Sequence, residues 1–262
     1  MSGTITALAV VAVLVLIAFV VIRSRKRQPG EWEAAPAALG MEPLGELDPA
    51  LTAAIIALHR PPAPDAALTQ TWSLTRIYRF PEPGATCYSI TVHLEQTGEV
   101  WRHGRTMRTE SRETRVVAVV APGALQAPRL QLMPRAIPDP AAGALATLAV
   151  QAANALTDEA AEQAGGRVEF GDDAEFDRRY LVLSPHPAAA REFLDSTRRS
   201  KLTGLEGAQM SLEGSLMLVS DPTAAIRYRD RPLVESLRAE LEVALRVLSV
   251  LAGSSSRVPA AQ

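Results

Sequence analysis

A chain of 262 residues carrying 27 Lys+Arg against 29 Asp+Glu, formal net charge −2, with 47% hydrophobic residues, has the composition of an ordinary globular protein. Its single cysteine excludes an internal disulfide framework, so any fold has to rest on an apolar core. The near-neutral balance excludes a broad nucleic-acid-binding surface.

The first element is an apolar run, Ile5 to Ile22, interrupted only by Thr6. As a helix its 18 residues cover about 27 Å, enough to cross the hydrocarbon core of a bilayer. It contains no Pro, Gly or charge, so a helical backbone would satisfy its own hydrogen bonds in lipid. A cleaved signal peptide would carry positive charge before the run and small residues after it, whereas here Arg23, Arg25, Lys26 and Arg27 follow. A core helix or an interfacial helix would show a polar face, and this run has none. The basic flank predicts a single-pass protein of the cell (inner) membrane with the rest of the chain on the cytoplasmic side. Without those four basic residues, 23 Lys+Arg stand against 29 Asp+Glu, so the remainder is mildly acidic and nucleic acid is not an expected partner.

Residues 28–47, rich in Ala, Pro, Gly and Glu, read as a linker. Asp48 as N-cap and Pro49 at the first helical position open a helix whose apolar face is Leu51, Ile55, Ile56 and Leu58, stopped by Pro61 and Pro62. A hairpin follows, Leu74 to Phe80 and Thr86 to Leu94, with Tyr78, Phe80, Tyr88, Ile90 and Val92 in alternation. The polar stretch Arg102 to Arg115 is read as a long loop or an excursion of that hairpin. Strands are expected at Val116 to Val120 and Arg129 to Pro134, then an Ala-rich helix from Asp139 to Leu156 and a short turn from Thr157. Short strands at Arg167 to Phe170 and Tyr180 to Leu183 precede a helix from Pro187 to Ser196 and a hairpin from Ala208 to Val219 turning near Gly214. The longest helix, Asp230 to Leu251, presents a seam of Leu233, Leu237, Leu241, Leu245 and Leu248. The fold class expected is α+β: one N-terminal transmembrane helix followed by a single mixed α+β soluble domain. The divisions are an anchor and basic flank at 1–27, a linker at 28–47, a domain at 48–252 and a disordered tail at 253–262.

The segment Glu175-Phe176-Asp177-Arg178-Arg179-Tyr180-Leu181-Val182-Leu183-Ser184, with the strand ending in Pro128 to Pro134 and the hairpin around Gly214, resembles a family of bacterial membrane-anchored proteins of unknown function. The resemblance spans roughly residues 70–250. It implies Phe176 and Tyr180 as core anchors, an aromatic-x3-aromatic strand motif after a carboxylate-rich turn, and no catalytic residue.

Candidate chemistry is sparse. Ser184 near His186 and Cys87 near His93 pair a nucleophile with a base, but neither has a nucleophile-elbow signature, so both are expected to pack or lie at the surface. The histidines at 59, 93, 103 and 186 are too scattered for a metal signature. Asp172, Asp173, Glu175 and Asp177 do not space as a calcium loop and read as a solvated turn. Gly165-Gly166 and Gly204 to Gly207 lack a phosphate-loop context. No catalytic residue, metal or cofactor is therefore assigned. The least ordinary feature is the series Arg102, Arg105, Arg108, Arg112 and Arg115, which on a helix would share one face and meet anionic lipid or a phosphorylated partner. Glu110, Glu113 and the intervening threonines favour a solvated or extended stretch. The expected function is a membrane-tethered cytoplasmic binding or scaffolding module for an unknown protein partner. The alternatives are a hydrolase-like membrane enzyme and an anionic-lipid surface sensor.

Overall fold

The computed structural model describes residues 30–60, 69–102, 105–136, 154, 158, 166–205, 208–221 and 231–253. The apolar run 5–22, nearly all of the helix expected at 139–156, and the tail beyond 253 lie outside these residues.

Among the described residues nine strands form one sheet, in the order β1-β2-β3-β4-β9-β8-β5-β7-β6. They are β1 (Glu42–Leu44), β2 (Thr69–Glu82), β3 (Ala85–Arg102), β4 (Arg105–Val120), β5 (Ala127–Pro134), β6 (Arg167–Val168), β7 (Tyr180–Leu183), β8 (Gln209–Gly214) and β9 (Leu216–Ser220). Every pairing is antiparallel. Among the described residues the helices with both ends described are α1 (Glu31–Ala38), α2 (Pro49–His59), α3 (Ala174–Arg179), α4 (Pro187–Phe193), α5 (Ser196–Thr203) and α6 (Leu233–Leu251).

The central strands are buried on both faces, which is why Val116 to Val120 reads as a continuous apolar run. Val117 and Val119 of β4, with Met217 and Val219 of β9, face a core closed by Phe176, Leu194, Leu202, Leu241, Ala244 and Val247 from α3 to α6. Val116 and Ala118, with Leu216 and Leu218, face the opposite way onto Ile55 and Leu58 of α2. Asp48 caps α2 by accepting from the backbone N–H of Ala50 and Leu51, as its sequence signature requires.

The expectation of a transmembrane helix followed by a mixed α+β domain is corrected. The domain is dominated by one wholly antiparallel nine-stranded sheet, and among the described residues no helix is long and apolar enough to cross a membrane. The sheet is larger than expected because β2, β3 and β4 run to 14, 18 and 16 residues. Their outer halves are Thr-, Gln-, Glu- and Arg-rich, so they lack the apolar alternation by which strands are recognised and are held by cross-strand pairing instead. The stretch read as a linker at 28–47 carries α1 and the edge strand β1. The single helix expected at 187–196 is two, α4 and α5, with Asp195 capping the second.

The hairpin pattern also resolves differently. Between Thr75 and Tyr78 the register of β2 against β3 slips by one residue. Arg76 absorbs the slip at φ 50°, a left-handed conformation that costs a non-glycine residue of order 1 kcal/mol. Tyr78 then packs in the core beneath α3 to α6, whereas Ile90 and Val92 of β3 pack against α2. The residues that looked like one apolar face are divided between two.

Candidate functional site

β4 pairs with β9 only from Val117 to Val120, and β1 pairs with β2 only at Ile77, Tyr78 and Arg79. Beyond those points β2, β3 and β4 continue as a three-stranded arm, in which β3 and β4 stay paired out to Arg102↔Arg105. All five arginines of the series lie on this hairpin, the last four in β4, and none lies on a helix. With β4 unbroken in register from Thr109 to Val120, alternation sends Arg112 and Arg115 to opposite faces. The single basic face envisaged for a helix is therefore not formed. A β-bulge in β3 between Thr97 and Val100 adds twist to the arm near its end.

Arg115 sits at the base of the arm and is a structural clamp. Its Nε donates to Glu240 Oε1 at 3.0 Å and its Nη2 to Ser236 Oγ at 2.6 Å, joining β4 to α6. The Glu240 side chain is 8% exposed and that of Arg115 17%, so the ion pair is largely withdrawn from water. Trp32 of α1 lies against the same cluster, with the Arg76 guanidinium 4.5 Å and that of Arg115 5.9 Å from its ring. The Tyr78 hydroxyl donates to the Trp32 carbonyl, and burial raises its pKa. A cleft of about 10 Å³, lined by Arg115, Ser220, Asp221 and Glu240 with two valines, has room for one water and no substrate. At the surface, Arg76 pairs with Glu113 at 3.2 Å, with His93 3.8 Å from the same carboxylate. Sequence reasoning missed Trp32, Arg76, Ser236 and Glu240. The break in alternation at Arg76 was the one signal available, and the long-range partners on α1 and α6 left none.

The nucleophile pairs do not assemble. Cys87 is fully buried, its thiol pushed up to about 12 by burial, and His93 lies six residues along β3, about 20 Å away. Ser184 Oγ donates to the Arg129 carbonyl and accepts from the His186 backbone N–H, so it makes a turn and is not activated by the imidazole.

The carboxylates at 172–177 form an organised network where a solvated turn was expected. Buried Arg199 bonds Asp172 at 2.6 Å and Asp173 at 3.1 Å and lies 4.7 Å from the Phe170 ring centre. Asp177 accepts from the Phe170 backbone N–H, and Asp173 also caps α3. Hydrogen bonds from Arg179 and Arg178 hold Glu175 below the ordinary carboxylate pKa. Among the described residues no group of three or more His, Cys, Asp or Glu is placed to hold a metal ion. Phe176 is fully buried between Phe170, 5.2 Å away edge-on, and Tyr180 at 5.4 Å. It stands in α3, with Tyr180 opening β7 and burial pushing that phenol up to about 12.

The fold and the Arg115–Glu240 cluster at the base of its long strands thus define a sheet domain whose distinguishing part is a projecting arm. No family model matches the chain, and neither a curated protein nor a solved structure matches it.

Proposed function

We propose that the chain is a non-catalytic binding or scaffolding module, held at the inner face of the cell membrane by its N-terminal apolar segment with the sheet domain on the cytoplasmic side. The observation that carries this reading is the arm. Among the described residues no strand other than β3 pairs with β2 from Thr69 to Thr75 or with β4 from Arg105 to Val116. Both edges therefore offer rows of backbone N–H and C=O groups to an added partner strand, and the arginines and glutamates along β4 discourage indiscriminate pairing on that edge. The tether rests on the uncharged run 5–22 and its one-sided basic flank.

A photoactivatable side chain at Ser111, exposed on β4, tests the arm in full-length protein in native membranes, with Glu192 on α4 as reference. A discrete cross-linked protein is expected at Ser111 and not at Glu192. Equal or no cross-linking at both positions refutes the arm as the binding surface. Ser254→Cys reports orientation, since a membrane-impermeant thiol reagent is expected to label it only after lysis, and full labelling in intact spheroplasts places the domain outside.

A further inference from the structure

We propose that the end of the β3–β4 hairpin is a second membrane contact, resting on an anionic lipid surface beside the tether. The inference depends on the tether reading and adds to it where the arm points and what its tip meets.

The direction follows from α1. Its first turn places Trp32 over Arg76 and Arg115 at the base of the arm. The chain then leaves α1 through Met41, packed in the main core, and enters β1, where Glu42 pairs with Arg79 on the body side of Arg76. α1 therefore runs from the arm toward the body, and its N-terminal end at Gly30 lies on the arm's side.

Reach agrees with direction. Eight peptide steps separate Ile22 from Gly30, so the end of the apolar run lies within about 27 Å of the start of α1. From Arg115 to Arg105 the arm extends ten residues, about 34 Å. A bilayer within reach of the tether is thus within reach of the arm's end.

The end has the composition of an interfacial contact. Val100 pairs with Met107, Trp101 with Thr106 and Arg102 with Arg105, and Arg108 is the next residue of β4. Three arginines beside a tryptophan and two apolar residues suit the headgroup layer, where an indole favours the boundary and each cation near anionic lipid adds to binding. The basic flank Arg23, Arg25, Lys26 and Arg27 draws on the same charge, so tether and tip would be complementary to one surface. Arg112 and Arg115 lie closer to the body, and Arg115 is engaged with Glu240, which divides the arginine series into a lipid-facing end and a structural base.

The test uses full-length protein in nanodiscs, with an environment-sensitive fluorophore on Thr106→Cys. The buried Cys87 thiol does not compete for label. Discs contain neutral phosphatidylcholine with or without phosphatidylserine, and brominated acyl chains serve as quencher. The expected result is a blue shift and quenching in anionic discs, lost or strongly reduced in neutral ones. The R102Q/R105Q/R108Q variant is expected to shift the tip's equilibrium about 100-fold toward the unbound side. A label at Glu192→Cys on α4 is expected to be quenched in neither. Quenching equal in neutral and anionic discs, or unchanged in the triple variant, overturns the assignment of the arginines to lipid charge. Protein that resists alkaline extraction but shows no quenching at Thr106→Cys overturns the tip contact and leaves the tether standing. Protein released by alkaline extraction removes the tether reading and this inference together.

Discussion

Arg115→Ala isolates the clamp between the arm and the body. The substitution removes a guanidinium that donates to both Glu240 and Ser236 and leaves, in a cleft also lined by Val219, Ser220, Asp221 and Val243, a carboxylate whose side chain is 8% exposed. Breaking one side of a buried pair costs about 3–5 kcal/mol, mostly the penalty of the abandoned charge. In urea denaturation of residues 28–262, followed by far-ultraviolet circular dichroism, a slope near 3 kcal/mol/M turns that loss into a midpoint lower by about 1–1.7 M. Replacing both partners by apolar residues of similar size, R115M/E240L, is expected to recover most of the loss, because neither charge then needs a partner. Arg112→Ala, at an exposed position on the other face, is expected to cost under about 0.5 kcal/mol. If Arg115→Ala and Arg112→Ala shift the midpoint equally, the ion pair does not hold the arm and the division of the arginine series fails.

Phe176→Ala, at a fully buried ring flanked by Phe170 and Tyr180, is expected to destabilise the domain by about 3–5 kcal/mol in the same assay. A loss below about 1 kcal/mol would place the ring outside the core. Cys87, with its pKa near 12, is expected to resist a disulfide reagent at pH 8, where about one thiol in ten thousand is ionised, and to react fully in denaturant. Rapid labelling of the native protein contradicts its burial. Burial lowers the pKa of His59 below its ordinary 6.5, so the unfolded chain binds more protons than the folded one as pH drops past that value. Stability is therefore expected to fall from pH 6.5 down through the folded pKa, and His59→Phe is expected to flatten that slope in melts from pH 7.5 to 5. An unchanged slope refutes the assignment.

The elements legible in the sequence were those whose apolar residues repeat with one period. The seam on α6, the cap of α2 and the doubly buried β4 core all have that local signature. The outer halves of β2, β3 and β4 do not, because their backbone groups are satisfied by neighbouring strands while their side chains remain polar. α1 and β1 are similarly silent, since Trp32 and Met41 gain their packing from α6, Arg76 and Tyr78, all distant in sequence. At the site, the arginine series was conspicuous as a composition. The roles of its members were not, because they depend on a two-residue period and on Glu240, 125 residues beyond Arg115.

The slipped register at Arg76 acts as a phase shifter for the arm. Upstream of it Trp72 and Leu74 lie against the α2 side, and downstream of it Ile77 does so as well, although an uninterrupted strand would have turned Ile77 the other way. The bulge takes up one extra residue and so keeps the apolar side of the arm aligned with the apolar side of the body. Deleting Arg76 alone would remove the bulge and bring Ile77 opposite Ile90 in regular alternation, with Trp72, Leu74 and Ile77 still on one face. The odd residue at position 76 therefore bends and twists β2 where the arm leaves the body, and it sets the direction of the arm and not its faces.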